Sequence, residues 1–117
     1  MGNNRKHKRF IKRCDLEFAL NGQTYRGISK DFSLDGLFIM TDDTLSPDSI
    51  IDIVVHLPNG LTSRLRGKVR RVLKTTNKGT LITTFKNGMG VEIIEKDTNY
   101  SCFVSSYYLH YTRSLLS

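Results

Sequence analysis

Hydrophobic and polar residues alternate through most of this chain. Cys14, Leu16, Phe18 and Leu20 fall on one side of an extended segment, and Asp15, Glu17 and Ala19 on the other, which predicts a half-buried strand. Asn21-Gly22 follows, the strongest short hairpin signal, and residues 23–30 read as the returning strand. A polar turn, DFSLDG at 31–36, leads into a short apolar strand from Leu37 to Met40; Asp42 to Asp48, which contains Pro47, is a loop. Ile50 to Leu57 is rich in β-branched residues and predicts another strand. Pro58-Asn59-Gly60 then turns the chain into a strand from Ser63 to Leu73. There Leu65, Val69 and Leu73 share one face, and Arg64, Arg66, Lys68 and Arg70 the other. Turns at Asn77-Lys78-Gly79 and Asn87-Gly88 bracket a strand from Thr80 to Lys86, and Val91 to Ile94 returns.

The period then changes. Tyr100, Phe103, Val104, Tyr107, Tyr108, Tyr111 and Leu115 recur every three or four residues, which predicts one helix with Asp97 or Thr98 as its N-cap. The stripe reads as a core face rather than a stacking platform for a ligand. Six or seven short strands and one helix sum to a mainly β fold. Such a sheet most easily closes into a small antiparallel barrel, because closure removes exposed edges. The expected organisation is a flexible basic arm over 1–13 and one barrel-plus-helix domain over 14–117.

Composition sharpens the picture. A hydrophobic content of 38% with 25% charged residues is globular, and the net charge of +7 points to an anionic partner. The charge is clustered. Arg5, Lys6, Lys8, Arg9, Lys12 and Arg13 crowd the front with no acid among them, and a second block runs from Arg64 to Lys78. The alternation makes most of that second block the wet face of a strand. The two cysteines, Cys14 and Cys102, have no metal-ligand spacing with each other or with His7, His56 and His110. They are expected to be free thiols in a reducing cytosol. No apolar run approaches the roughly 20 residues of a membrane span, and no apolar core follows the basic start as it would in a signal peptide. Lys6 stands where a myristoylation signal wants Ser or Thr. A cytoplasmic protein without membrane insertion is the expectation.

The chemistry available is that of binding. No GxSxG, HExxH, P-loop or DxDxDG pattern occurs, and no histidine is close in sequence to Ser33, so neither an enzyme nor a cofactor or metal site is expected. Arginine suits phosphate, since its planar fork donates parallel hydrogen bonds, and the same fork matches O6 and N7 of guanine. The N–H edge of guanine fits a carboxylate such as Asp31. Ser33 can donate or accept, and Gly36 can take positive φ and let a ligand approach the backbone. Alone, DxSxxG is also ordinary turn chemistry.

Arg5-x-x-x-Arg9 followed by Asp31-x-Ser33-x-x-Gly36 resembles the two-part signature of the PilZ domain family. GISKDFSLDGLFI (27–39) resembles its second strand, motif turn and third strand, and Leu65 to Val69 and Gly88 to Ile93 resemble later strands. The likeness covers roughly residues 5 to 115. It implies a six-stranded antiparallel β-barrel with a C-terminal α-helix that receives cyclic di-GMP, a bacterial second messenger with two guanines and two phosphates. By the same likeness Arg5 and Arg9 contact phosphate and guanine, Asp31 and Ser33 meet guanine edges, and Gly36 keeps the turn open. Arg9-x-x-x-Arg13 also satisfies the arginine spacing; Arg5/Arg9 is preferred because apolar Phe10 follows. Lys8, Arg13, Arg66 and Arg70 are candidate secondary contacts. The expected role is an adaptor that passes its signal to a downstream protein. The rivals are a basic barrel that binds single-stranded nucleic acid, disfavoured by the lack of tryptophan and of a strand-borne aromatic cluster, and a ligand-free PilZ-like interaction module.

Overall fold

A computed structural model describes residues 9–74 and 87–116, with side chains through residue 109. Its elements are β1 (Phe10–Ile11), β2 (Asp15–Leu20), β3 (Gln23–Phe32), β4 (Gly36–Met40), β5 (Ile50–His56), β6 (Thr62–Leu73), β7 (Gly88–Glu95) and α1 (Thr98–Leu116). The turn at 77–79, the strand expected over 80–86, and the side chains of Tyr111 and Leu115 lie outside the described residues.

Six strands close on themselves in the order β3-β2-β5-β6-β7-β4, and β4 returns to β3. Every pairing is antiparallel. β1 is the extra strand. It lies on the same edge of β3 as β2, with Phe10 opposite Phe32 and Ile11 opposite Asp31. The end of the expected arm is thus paired backbone. Ser29 spans the break between β1 and β2. Its buried hydroxyl donates to the Lys12 carbonyl (2.7 Å) and accepts from the Cys14 amide (2.9 Å).

The local sequence accounts for the corners. Asn21 (φ 53°) and Gly22 (φ 83°) are both left-handed, as a type I′ hairpin turn requires. Leu20 and Gln23 pair directly across it. Inside, Leu16, Phe18, Ile39, Ile53, Val69 and Met89 are almost wholly buried. The helix closes one end. Phe103 stacks on Phe32 at 4.8 Å, and Tyr107 meets Phe32 edge-on at 5.4 Å while touching Phe10 at 5.8 Å. Such pairs add about 1 kcal/mol each to the burial itself.

Asp97 is the N-cap. Its carboxylate accepts the Tyr100 amide (2.9 Å), the Ser63 hydroxyl (2.7 Å) and the Arg64 amide (2.8 Å), so one side chain both starts the helix and ties it to β6. Burial alone would push its carboxyl pKa up, but these hydrogen bonds to the anion outweigh it and hold the pKa below the usual value.

Three readings are corrected. Leu73 does not share the face of Leu65 and Val69; it is 52% exposed. A register shift between Val69 and Arg71 turns Arg70 and Arg71 both outward and brings Val72 inward instead. Gly88 is not a turn residue but the first residue of β7, opposite Met40 and Leu73. Its side-chain position is taken by Phe38 Cε1 (2.4 Å from a Cβ there) and the Ile39 carbonyl (2.7 Å). Tyr108 leaves the buried stripe and is exposed, while Tyr100, Phe103 and Val104 fill the core.

Candidate ligand-binding site

A bulge in β3 makes the site. Ser29 pairs with Ile39 and Asp31 with Phe38, so Lys30 is the inserted residue. Ser29 and Phe32 stay inside, and Lys30 and Asp31 both turn to the outer wall. Docking of β1 next to Asp31 brings Arg9 over it. Arg9 Nε donates to Asp31 Oδ1 at 2.8 Å, and Nη2 donates to the same oxygen. Among the described residues Oδ2 has no hydrogen-bond partner. The two side chains are 18% and 21% exposed, so the pair is covered more than most surface ion pairs.

Gly36 lies under this pair. A Cβ there would sit 2.7 Å from Arg9 Nη1, and otherwise only at ordinary contact from the Val91 carbonyl (3.6 Å) and Ser33 Oγ (3.7 Å). Among the described residues the glycines with positive φ are Gly22 and Gly60. The expectation that Gly36 takes positive φ is therefore corrected: glycine is needed here because the guanidinium occupies the side-chain space.

Ser33 holds the turn together. Its amide donates to the Gly36 carbonyl (2.8 Å) and its buried hydroxyl to Asp35 Oδ1 (2.9 Å). The Asp35 carbonyl accepts from the Ile93 amide (3.0 Å), which fixes the turn to β7. The Tyr100 hydroxyl donates to the Ser33 carbonyl at 2.7 Å, which fixes it to the helix. Burial pushes the Tyr100 pKa well above its usual value, against a smaller downward pull from Arg9. No sequence signal marked Tyr100 as a support of the turn, because its spacing reads only as helix core.

The remaining candidates are dispersed. Arg5 and Lys8 lie outside the described residues. Arg13 is exposed between β1 and β2, whereas Arg9 sits on Asp31. Arg66 faces Asp52 (3.2 Å) and Glu95 (3.8 Å), and Arg70 faces Glu92 (3.6 Å). Cys14 and Cys102 are free thiols. Among the described residues no group of acids, histidines and cysteines could hold a metal ion, and no helix is long and apolar enough to cross a membrane.

The inhibitor of motility MotI/DgrA of Bacillus subtilis has a similar structure, with a TM-score of 0.74 at 16% identity. The likeness covers 95% of this chain and 52% of that one, so the chain spans about half of that protein's length and shares its fold. No curated protein matches the sequence. The sequence model of the PilZ domain, a family of cyclic di-GMP receptors that act as binding and adaptor modules, matches residues 3–103. A match over most of the barrel, with the motif turn and the arginine that covers it inside the matched span, settles the relationship: the chain belongs to the PilZ domain family.

Proposed function

We propose that this chain is a cytoplasmic, non-enzymatic receptor for cyclic di-GMP that passes the signal to another protein. The observation that carries this reading is the Arg9–Asp31 pair seated on Gly36, with Nε 2.8 Å from Oδ1. Each member already has a partner of the type the ligand would supply. A phosphate replaces the carboxylate on Arg9, and the N–H edge of a guanine replaces the guanidinium on Asp31. Arg9 keeps an anionic partner and Asp31 keeps hydrogen-bond donors in such an exchange, so its cost is small compared with leaving either charge without a partner. Ser33 and Gly36 serve by holding the turn and by leaving room for the arginine. Arg5, four residues upstream, adds a second cation. Movement of Arg9 off Asp31 alters the surface next to β1, and a downstream protein reads that change.

Single-stranded nucleic acid fits less well. Arg66, Lys68 and Arg70 on the outer wall each face a carboxylate within 4 Å, so much of the strand-borne charge is already neutralised. Calorimetric titration with cyclic di-GMP at physiological salt tests the reading, with GTP and a short single-stranded DNA as controls. The expected result is micromolar or tighter binding of cyclic di-GMP alone, lost in Arg9→Ala and Asp31→Ala and kept in Arg13→Ala. Heat with DNA only, falling steeply with salt, would overturn it in favour of nucleic acid. Silence with all three would leave the interaction module.

A further inference from the structure

Two bulges face each other across the outer wall. One, in β3, exposes Lys30 beside Asp31; the other, in β6, exposes Arg70 and Arg71 together. Between them the cross-strand row runs Asp31, Phe38, Gly90, Arg71 over β3, β4, β7 and β6. Three strand spacings make it about 14 Å wide. Phe38 points outward, in alternation with inward Leu37 and Ile39, yet it is only 8% exposed. It beds into the space left by Gly88, and two cations cover it: Lys30 Nζ lies 5.8 Å from the ring centroid and the Arg71 guanidinium carbon 6.0 Å. Arg71 reaches Phe38 by crossing Gly90, its Cγ only 3.3 Å from where a Cβ would stand.

This pair is held differently from the ion-paired cations near it. Arg9, Arg66, Lys68 and Arg70 each face a carboxylate. Among the described residues Lys30 and Arg71 face none and turn to one aromatic ring instead. An arginine lying on an aromatic face is oriented without being neutralised, so its N–H fork remains available to an anion.

We propose that Lys30 and Arg71, floored by Phe38, form a second anion-holding site continuous with Arg9 and Asp31, which takes the far phosphate of a dinucleotide whose first half sits at Arg9. This rests on the cyclic di-GMP reading and extends it. The width of the row explains a preference for a ligand with two nucleotide units over a mononucleotide.

The test measures cyclic di-GMP affinity at three salt concentrations for the unaltered chain, Lys30→Gln, Arg71→Gln and Arg64→Gln. Arg64 is exposed at the opposite end of β6, beside Asp97, and removes the same charge away from the row. Lys30→Gln and Arg71→Gln are expected to weaken binding about tenfold each and to lower the salt slope by about one ion. Arg64→Gln should stay within about twofold. Lys30 is exposed and approaches Phe38 with its ammonium end, whereas the Arg71 stem also packs over Gly90, so the Lys30 variant keeps the test valid if Arg71→Gln loosens Phe38. Binding by Lys30→Gln and Arg71→Gln equal to that of Arg64→Gln would overturn the second site and leave the receptor reading intact. No binding by the unaltered chain would overturn both.

Discussion

Replacing Gly36 with alanine separates two roles that glycine can have. The added methyl would sit 2.7 Å from Arg9 Nη1, the far end of a flexible side chain, and no closer than 3.6 Å to any other atom. The barrel can therefore keep its backbone while Arg9 leaves Asp31. Breaking a charge-assisted pair costs about 1–2 kcal/mol, and the lower end applies because both groups can return to water. Against this, alanine is better than glycine inside a strand by about 0.5–1 kcal/mol. The net change is under about 1 kcal/mol, or a Tm shift of no more than about 5 °C. Gly67→Ala is the contrast, since its Cβ would lie 2.3 Å from Val91 Cγ1 and 3.1 Å from the Glu92 carbonyl in the core wall. Overpacking there costs about 1–3 kcal/mol. Thermal melts of both variants, repeated in an Arg9→Ala background, read the difference. With Arg9 absent, Gly36→Ala should raise Tm slightly, because nothing remains for the methyl to displace. Cyclic di-GMP binding should fall at least tenfold in Gly36→Ala alone. A Tm loss as large as that of Gly67→Ala, persisting without Arg9, would refute the argument and assign Gly36 to the backbone.

Asp97→Ala should cost about 1–2 kcal/mol in chemical denaturation, because it removes a helix cap and its link to β6. The folded pKa of Asp97 is depressed, so its contribution is complete above the unfolded value near 4 and fades as pH falls through the folded value; the variant should show a flatter stability profile in that acidic range. Tyr100→Phe leaves the Ser33 carbonyl without its 2.7 Å donor and should cost about 1–2 kcal/mol at neutral pH by the same measurement. Its folded pKa is raised, so the stability it brings is complete below about pH 10 and is lost as pH climbs towards the folded value; Tyr100→Phe should lose that alkaline step. A thiol reagent should modify exposed Cys102 rapidly in the native protein and buried Cys14 only on unfolding, and equal rates would show that Cys14 is not held in the core.

The barrel was legible in the sequence wherever alternation was unbroken. Leu16 and Phe18 faced inward as expected, and Asn21-Gly22 produced its hairpin because both residues tolerate positive φ. Reading failed at the bulge in β6. One inserted residue reverses the facing of everything after it, and Arg70 carries no mark distinguishing it from Arg66 or Lys68. That is why alternation alone places Leu73 on the face of Leu65 and Val69. The motif residues could be named through the resemblance to the PilZ family, but not their internal partners. Arg9 and Asp31 are 22 residues apart and meet only because β1 docks on β3. The hydrogen bond from Tyr100 to Ser33 crosses 67 residues and depends on where the helix caps the barrel.

The closure of the barrel through β4 and β7 has a consequence for the order of events during synthesis. Residues 36–40 wait for residues 88–92 to complete their ladder. The Asp35 carbonyl waits for the Ile93 amide, and the Ser33 carbonyl for the Tyr100 hydroxyl. Chains emerge N-terminus first at about 5–20 residues per second, so the motif turn exists for seconds as a sequence without its scaffold. During that interval β4 and β6 are open edges, which nascent chains can pair wrongly. Truncation before β7 therefore removes the turn's anchors along with the last strand, and a stalled chain is expected to aggregate.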